Sequence, residues 1–180
     1  MPPTITVRPA EPADAQAIAS VQTVSWRTTY AGLMPAEFLA NIDINRRAAV
    51  WHTWLTDSND RSCFFVAEDT DGQVVGFASG GPERDGNPVY KGELSAIYIL
   101  ESYHGQGIGR RLVQAVAQWL HNHHYHNMII WVLATNKIGI GFYEAMGGQR
   151  VGNKNSEIGG ETLEETAYGW LDITPLLPST

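Results

Sequence analysis

Cysteine is almost absent from this chain. Cys63 is the single one in 180 residues, so no intramolecular disulfide can staple the fold. That fits a reducing cytoplasm, and Cys63, inside the apolar run SCFFVAED, reads as a small buried hydrophobe rather than a nucleophile. Basic residues are also scarce. Twelve Lys and Arg against 19 Asp and Glu give a net charge of −7, the wrong sign for gripping a phosphate backbone and the right one for attracting a cation. No window approaches the roughly eighteen apolar residues of a membrane span. The N-terminal stretch MPPTITVRPAEPADAQ lacks the basic region and apolar core of an export signal. A cytoplasmic chain with no nucleic-acid and no membrane partner is expected.

What is present is a globular composition, 43% hydrophobic and 17% charged, in a length that suits one domain over residues 1–180. Residues 4–8 alternate like a short strand. Pro9 and Pro12 turn the chain into a helix over about 13–29, whose apolar positions Ala17, Ile18, Val21, Val24 and Ser25 fall at helical spacing. A second helical region spans about 35–55 with a break near NIDIN, followed by a loop, DSNDRS. SCFFVAED and QVVGFASGG read as strands joined by an Asp71-Gly72 turn, and GPERDGNP reads as another loop. ELSAIYIL, 93–100, has too little polar alternation to face water on one side and is predicted to be central. Then Ile108, Leu112, Val116 and Leu120 recur every fourth residue as a buried helix face. NMIIWVLA is a strand. Asn136 caps a helix carrying Ile138, Phe142 and Met146 on one face, Gly147-Gly148 end it, and strands near 149–155 and 161–172 follow. The order implies an α/β domain with a mixed sheet and helices on both faces.

Between the central strand and the next helix stands YHGQGIGRRL, with glycine at 105, 107 and 109. A helix start leaves free N–H groups and a partial positive charge, so a strand, a glycine turn and a helix make an anion site. Bare backbone lets phosphate oxygens reach the amides. The dinucleotide fingerprint fails, because three residues after Gly107 stands Arg110 and three after Gly109 stands Leu112. The NTPase phosphate loop fails too, since no glycine is followed by lysine and a hydroxyl residue. A nucleotide-dependent oxidoreductase is therefore disfavoured.

ELSAIYIL followed by ESYHGQGIGRRL resembles motif A of the GNAT superfamily of N-acetyltransferases, and NKIGIGFYEAMGG resembles that family's second acetyl-CoA motif. SWRTTYAGLMPAEFL looks like a bacterial branch that includes PaiA-type polyamine acetyltransferases. The resemblance implies a single GNAT-like α/β domain with a mixed, mostly antiparallel sheet of about seven strands. It implies acetyl-CoA as co-substrate, no metal, and transfer of an acetyl group to a primary amine of a small molecule by direct attack in a ternary complex. Protein or peptide N-termini are an alternative acceptor, and a non-catalytic acyl-CoA-binding module is an alternative use of the fold. Homodimers are common among similar enzymes, so a homodimer is implied as well.

Carried over residue by residue, the resemblance places the pyrophosphate on the amides around His104, Gly105, Gln106, Gly107, Ile108, Gly109 and Arg110. The pantetheine arm falls along the backbone of Ile97, Tyr98 and Ile99, Asn136 contacts the cofactor beside the splayed strands, and Tyr143 faces its sulfur. His104 stands where Gln or Arg is usual, and Gly139 replaces the commoner alanine. An amide of the 97–99 strand would polarise the carbonyl, Tyr143 would donate to the departing sulfur, and Glu93 would act as base directly or through water. Trp26 and Tyr30, four apart on one helix face, are candidate walls of the substrate cleft, or core aromatics. Glu157, Glu161, Glu164 and Glu165 either attract a polycation or form a solvated surface. HNHHYHN, 121–127, holds four of the six histidines, but its spacing matches no standard ligand set, and no metal is expected.

Overall fold

The apolar run that lacks polar alternation becomes β4, Gly92–Ile99, in the computed structural model, which describes residues 4–57 and 60–179. The expected loop over 57–62 includes Ser58 and Asn59, and the N-terminal stretch includes Met1, Pro2 and Pro3; these residues lie outside the described ones, as does Thr180. β4 is the fourth of seven strands in the order β1-β2-β3-β4-β5-β7-β6. On one side lie β1 (Thr6–Pro9), β2 (Cys63–Glu68) and β3 (Val74–Pro82); on the other lie β5 (Met128–Leu133), β7 (Glu161–Trp170) and β6 (Gln149–Ile158). Every pairing is antiparallel except β4 with β5. Gly72, at φ +76°, makes the β2–β3 turn in a conformation that side chains disfavour.

Both faces of β4 are covered, which is why its sequence shows little polar alternation. One face packs on α1 (Ala15–Thr29) and α3 (Ile44–Thr56), where Ile18, Trp51, Val66 and Phe77 are buried together. The other packs on α4 (Ile108–Asn122), whose Leu112, Val116 and Leu120 have no exposed surface. Each of those leucines contributes about 2 kcal/mol through burial. The four-residue period at 108–120 is thus a true core stripe.

Three sequence expectations need correction or refinement. The second helical region is two helices, α2 (Ala36–Ala40) and α3, because the Asp43 side chain accepts a hydrogen bond from the Arg46 amide at 3.0 Å and starts a new helix there. Val24 does not join the buried face of α1; it is 47% exposed, while Ile18, Val21 and Ser25 are buried as expected. Ile138 is 76% exposed, so it is not part of the packed face of α5 (Lys137–Ala145). Gly139 faces Val132 on β5, and the buried Tyr143 follows one turn later. Ile138, about 100° round the helix from Gly139, points away. Phe142 and Met146 do pack against the core.

The last two strands form a hairpin longer than its sequence suggests, with β6 running to Ile158. At its tip Gly159 has φ +59°, and a Cβ there would collide with Met34 and Phe38. The hairpin tip therefore rests on the segment that joins α1 to α2.

Candidate active site

Two neighbouring parallel strands that separate leave backbone groups unpaired, and here the separation is abrupt. β4 meets β5 only at Gly92–Met128 and Glu93–Ile129. Beyond those pairs β5 continues against β7 as far as Leu133, and β4 continues against β3 as far as Ile99. The β5-facing edge of β4 is open from Leu94 onward. A register shift adds to this: Ser79 faces Ala96 and Gly80 faces Leu94, so Ser95 is the extra residue of a bulge. The gap forms a cleft of about 180 Å³ whose walls include Tyr30, Glu93, Tyr98, Asn136, Tyr143 and Glu165. Five of the residues named from sequence, Tyr30, Glu93, Tyr98, Asn136 and Tyr143, are thus brought together, with the backbone of Ile97 beside them.

The glycine loop leads from the end of β4 into α4. Gly105 and Gly107 have φ near +75° and +77°, and a Cβ on either would meet open space. Gly109 is different. Its φ is ordinary, and a Cβ there would lie 3.0 Å from the Phe142 ring, so this glycine lets α4 approach α5 closely. Two of the three glycines therefore serve backbone conformation and the third serves packing. From Gly105 to Arg110 no amide has an acceptor among the described residues; the first to find one is Arg111, which donates to the Gly107 carbonyl at 3.2 Å. Six consecutive N–H groups at a helix start form an anion cradle. His104, the departure from the family pattern, is held by a 2.9 Å hydrogen bond between its ring nitrogen and the Ile99 carbonyl, which ties the loop to β4. Ile108 itself is buried in the core, where α4 begins.

Asn136 caps α5 by accepting from the Gly139 amide at 3.0 Å. An alanine at 139 would put its Cβ 2.9 Å from the Asn136 amide nitrogen, so glycine matches this cap. Tyr143 is 5% exposed and lines the cleft. Its hydroxyl makes no hydrogen bond among the described residues. Burial, and secondarily the neighbouring Tyr98, push that hydroxyl well above the usual phenol range, so it stays a proton donor at all physiological pH. Glu93, 4% exposed, accepts three hydrogen bonds from Arg84: from its backbone amide at 3.2 Å, from Nε at 3.1 Å and from Nη2 at 2.6 Å. The same contacts hold the Arg84 guanidinium more firmly protonated than usual.

On the opposite wall Tyr30 is buried, and its pKa is raised first by burial and then by Tyr98 and Glu165. Trp26 does not line the cleft; it packs on Tyr30 at 4.8 Å between ring centroids and donates its indole N–H to the Tyr98 hydroxyl at 3.1 Å. The acidic group does not converge. Glu164 bonds Asn153 at 2.9 Å and Glu157 bonds Thr162 across the hairpin, whereas Glu165 alone of the four lines the cleft, held by Ser156 at 2.6 Å. Among the histidines, the rings of His121 and His126 are 5.8 Å apart, and no group of three metal-ligating side chains occurs among the described residues. Sequence reasoning missed Arg84 and the side-chain part of Tyr98. Nothing local signals the first, and the second is visible only once α1 is laid across β4.

The open edge of β4 and the unpartnered amides of the loop suit an extended ligand that ends in an anionic group. Comparison with known proteins gives the same direction. The family model described as Acetyltransferase (GNAT) family matches residues 23–148. The chain is 40% identical over 172 residues to the uncharacterized N-acetyltransferase YuaI of Bacillus subtilis (strain 168), covering 96% of each chain. Among solved structures it is similar to a ribosomal-protein-alanine N-acetyltransferase from Brucella melitensis, at 29% identity and a TM-score of 0.70, covering 92% of this chain and 98% of that one. It also shares its fold with a PaiA N-acetyltransferase from Thermoplasma acidophilum solved in complex with coenzyme A, at 20% identity and a TM-score of 0.69, covering 91% and 98%.

Proposed function

The chain belongs to the acetyltransferase (GNAT) family, and from that premise we propose that it transfers an acetyl group from acetyl-CoA to the primary amine of a small molecule by direct attack in a ternary complex. The observation that carries the reading is the continuity of three features: six unpartnered amides at 105–110, the open edge of β4, and a cleft that ends at Tyr143. The cradle suits the diphosphate, and the free edge suits the amide groups of the pantetheine arm as an added strand.

Bound acetyl-CoA supplies an activated acyl carbon as a thioester. The chain's own residues supply placement and proton traffic. A backbone N–H of Ile97, Tyr98 or Ile99 faces the acyl oxygen as a preorganised donor. Glu93 takes the proton of the acceptor amine. Because Arg84 already occupies both of its oxygens, Glu93 works through an intervening water rather than by direct contact. The carbon–nitrogen bond forms as the carbon–sulfur bond breaks, and the Tyr143 hydroxyl donates to the departing sulfur. Asn136 holds the start of α5, and hence Tyr143, in place. Tyr30 forms the acceptor wall, and Trp26 positions Tyr98 behind it.

The expected cytoplasmic location and homodimer belong to the same reading, and light scattering checks the dimer. No helix among the described residues is long and apolar enough to cross a membrane. The test of the reaction is thiol release from acetyl-CoA over a screen of polyamines, aminoglycosides, amino acids and peptides. Release above the acceptor-free rate with a small amine supports it. Release with peptide N-termini alone would move the acceptor to the protein class.

A further inference from the structure

A charge withdrawn into a cleft needs a counter-charge, and the one that lacks it marks what the cleft receives. Four charged side chains line this cleft: Arg84, Glu93, Lys154 and Glu165. Arg84 and Glu93 neutralise each other at 2.6 Å. Lys154 stands directly opposite Glu165 in the β6–β7 register, yet it turns its ammonium to Asp85 at 2.7 Å and over the Trp131 ring at 4.2 Å. Glu165 is left with no ion pair among the described residues. Its Oε2 accepts from the Ser156 hydroxyl at 2.6 Å, which fixes the carboxylate, while its Oε1 has no partner among the described residues. Glu165 is half-buried. Burial first, and among the smaller causes the charge of Glu165, raises the pKa of both the Tyr30 and the Tyr98 hydroxyl, which places the three groups within electrostatic range. The cleft lining thus carries one uncompensated negative charge.

The strand register sets that charge apart from the chemistry. Glu93 pairs with Ile129 and Glu165 pairs with Leu133, so the two acids share one face of the sheet and stand four residues apart along β5, about 13 Å at roughly 3.3 Å per residue. One ammonium cannot serve both. We propose that Glu165 holds a second cationic group of the acceptor, so that the preferred substrate is a short diamine, with one end reacting near Glu93 and Tyr143 and the other held at Glu165. The inference rests on the acetyltransferase reading above and names the substrate class of that site. A fixed carboxylate with one free oxygen gives an ammonium a charge-assisted hydrogen bond. Trp131 and Leu133, which line the cleft on the same face, give apolar surface for the methylene chain, and a volume of about 180 Å³ keeps that chain short. A neutral group at the far end leaves Glu165 unpaired, and a carboxylate there meets a like charge, so both are selected against.

The test is steady-state thiol release from acetyl-CoA with matched acceptors: putrescine and cadaverine, each beside the alkylamine, the amino alcohol and the terminal amino acid of the same chain length. The expected result is a kcat/KM at least about tenfold higher for a diamine than for its amino alcohol, with the amino acid poorest of all. Glu165→Gln, which keeps the shape and an acceptor for Ser156, raises KM for that diamine by about ten- to a hundredfold, leaves KM for the amino alcohol within about twofold, and leaves the acetyl-CoA dissociation constant unchanged. Glu165→Asp retains part of the preference. If the enzyme releases thiol with amines but treats diamine and amino alcohol alike, or if Glu165→Gln weakens both equally, the Glu165 assignment is overturned while the acetyltransferase reading stands. If thiol release is absent with every acceptor, both fall.

Discussion

Replacing Tyr143 with phenylalanine removes one oxygen from the cleft and leaves the ring packing on Phe142, Tyr168 and Trp170 in place. A fall in kcat of about a hundredfold, with acetyl-CoA affinity within about twofold of wild type, is the expected outcome for a proton donor to the leaving group. Because burial and Tyr98 raise the Tyr143 pKa, its protonated form persists above the ordinary phenol value, so loss of that donor places no alkaline limit on activity below about pH 10. Glu93→Gln is expected to lower kcat and flatten the acidic side of the pH–rate profile; an unchanged profile removes Glu93 from the proton path. Tyr143 and Glu93 could be named from the sequence because each sits at a fixed offset within a local motif, and both line the cleft. Arg84 and the side-chain part of Tyr98 could not. Arg84 reaches Glu93 from the loop that joins β3 to β4, and the Tyr98 hydroxyl is fixed by Trp26 of α1, pairings that no spacing along the chain records.

At the scale of the element, the start of α4 and the splayed pair β4 and β5 frame the proposed site. Gly107→Ala forces a side chain into φ +77° and costs about 1 kcal/mol of backbone strain, to be read as a lower melting temperature together with a higher KM for acetyl-CoA. Leu112→Ala empties a position with no exposed surface and is expected to destabilise the protein by about 2–5 kcal/mol in urea unfolding, without changing KM in the fraction that remains folded. Most elements were readable because their periods differ: 3.6 at 108–120, and a short continuous apolar run at 93–100 and 127–134. The exceptions have a common cause. Ile138 and Val24 occupy apolar-looking positions near the rim of helix faces, where the angle of docking on the sheet decides exposure and periodicity does not. The divergence of β4 from β5 is likewise invisible in either strand alone, since both are mostly apolar and the gap arises from their different partners, β3 and β7.

At the scale of the whole molecule, the seven-stranded sheet puts the N-terminal helices on one face and α4 on the other, with the cleft where the two halves of the sheet part. The outer edge is fastened by Arg8 on β1, which bridges Asp14 and Glu68. Burial tends to raise the Asp14 pKa, but Arg8 and the Glu11 amide outweigh it and hold the carboxylate below its unfolded value. A depressed folded pKa contributes stability that is present above the unfolded value of about 3.9 and is lost as pH falls through the folded one. Asp14→Asn should therefore be less stable than wild type at pH 7, by about 2 kcal/mol, and the difference should shrink below about pH 4, as urea midpoints across that range would show.

The most direct measurement is amide hydrogen exchange with and without acetyl-CoA. The expected result is strong protection of the amides from Gly105 to Arg110, together with slower exchange along Ile97–Ile99, and little change in α3 or β1. Acetyl-CoA that binds while the amides of residues 105–110 exchange as fast as in the free protein would contradict the assignment of the diphosphate to this loop, and with it the proposed site.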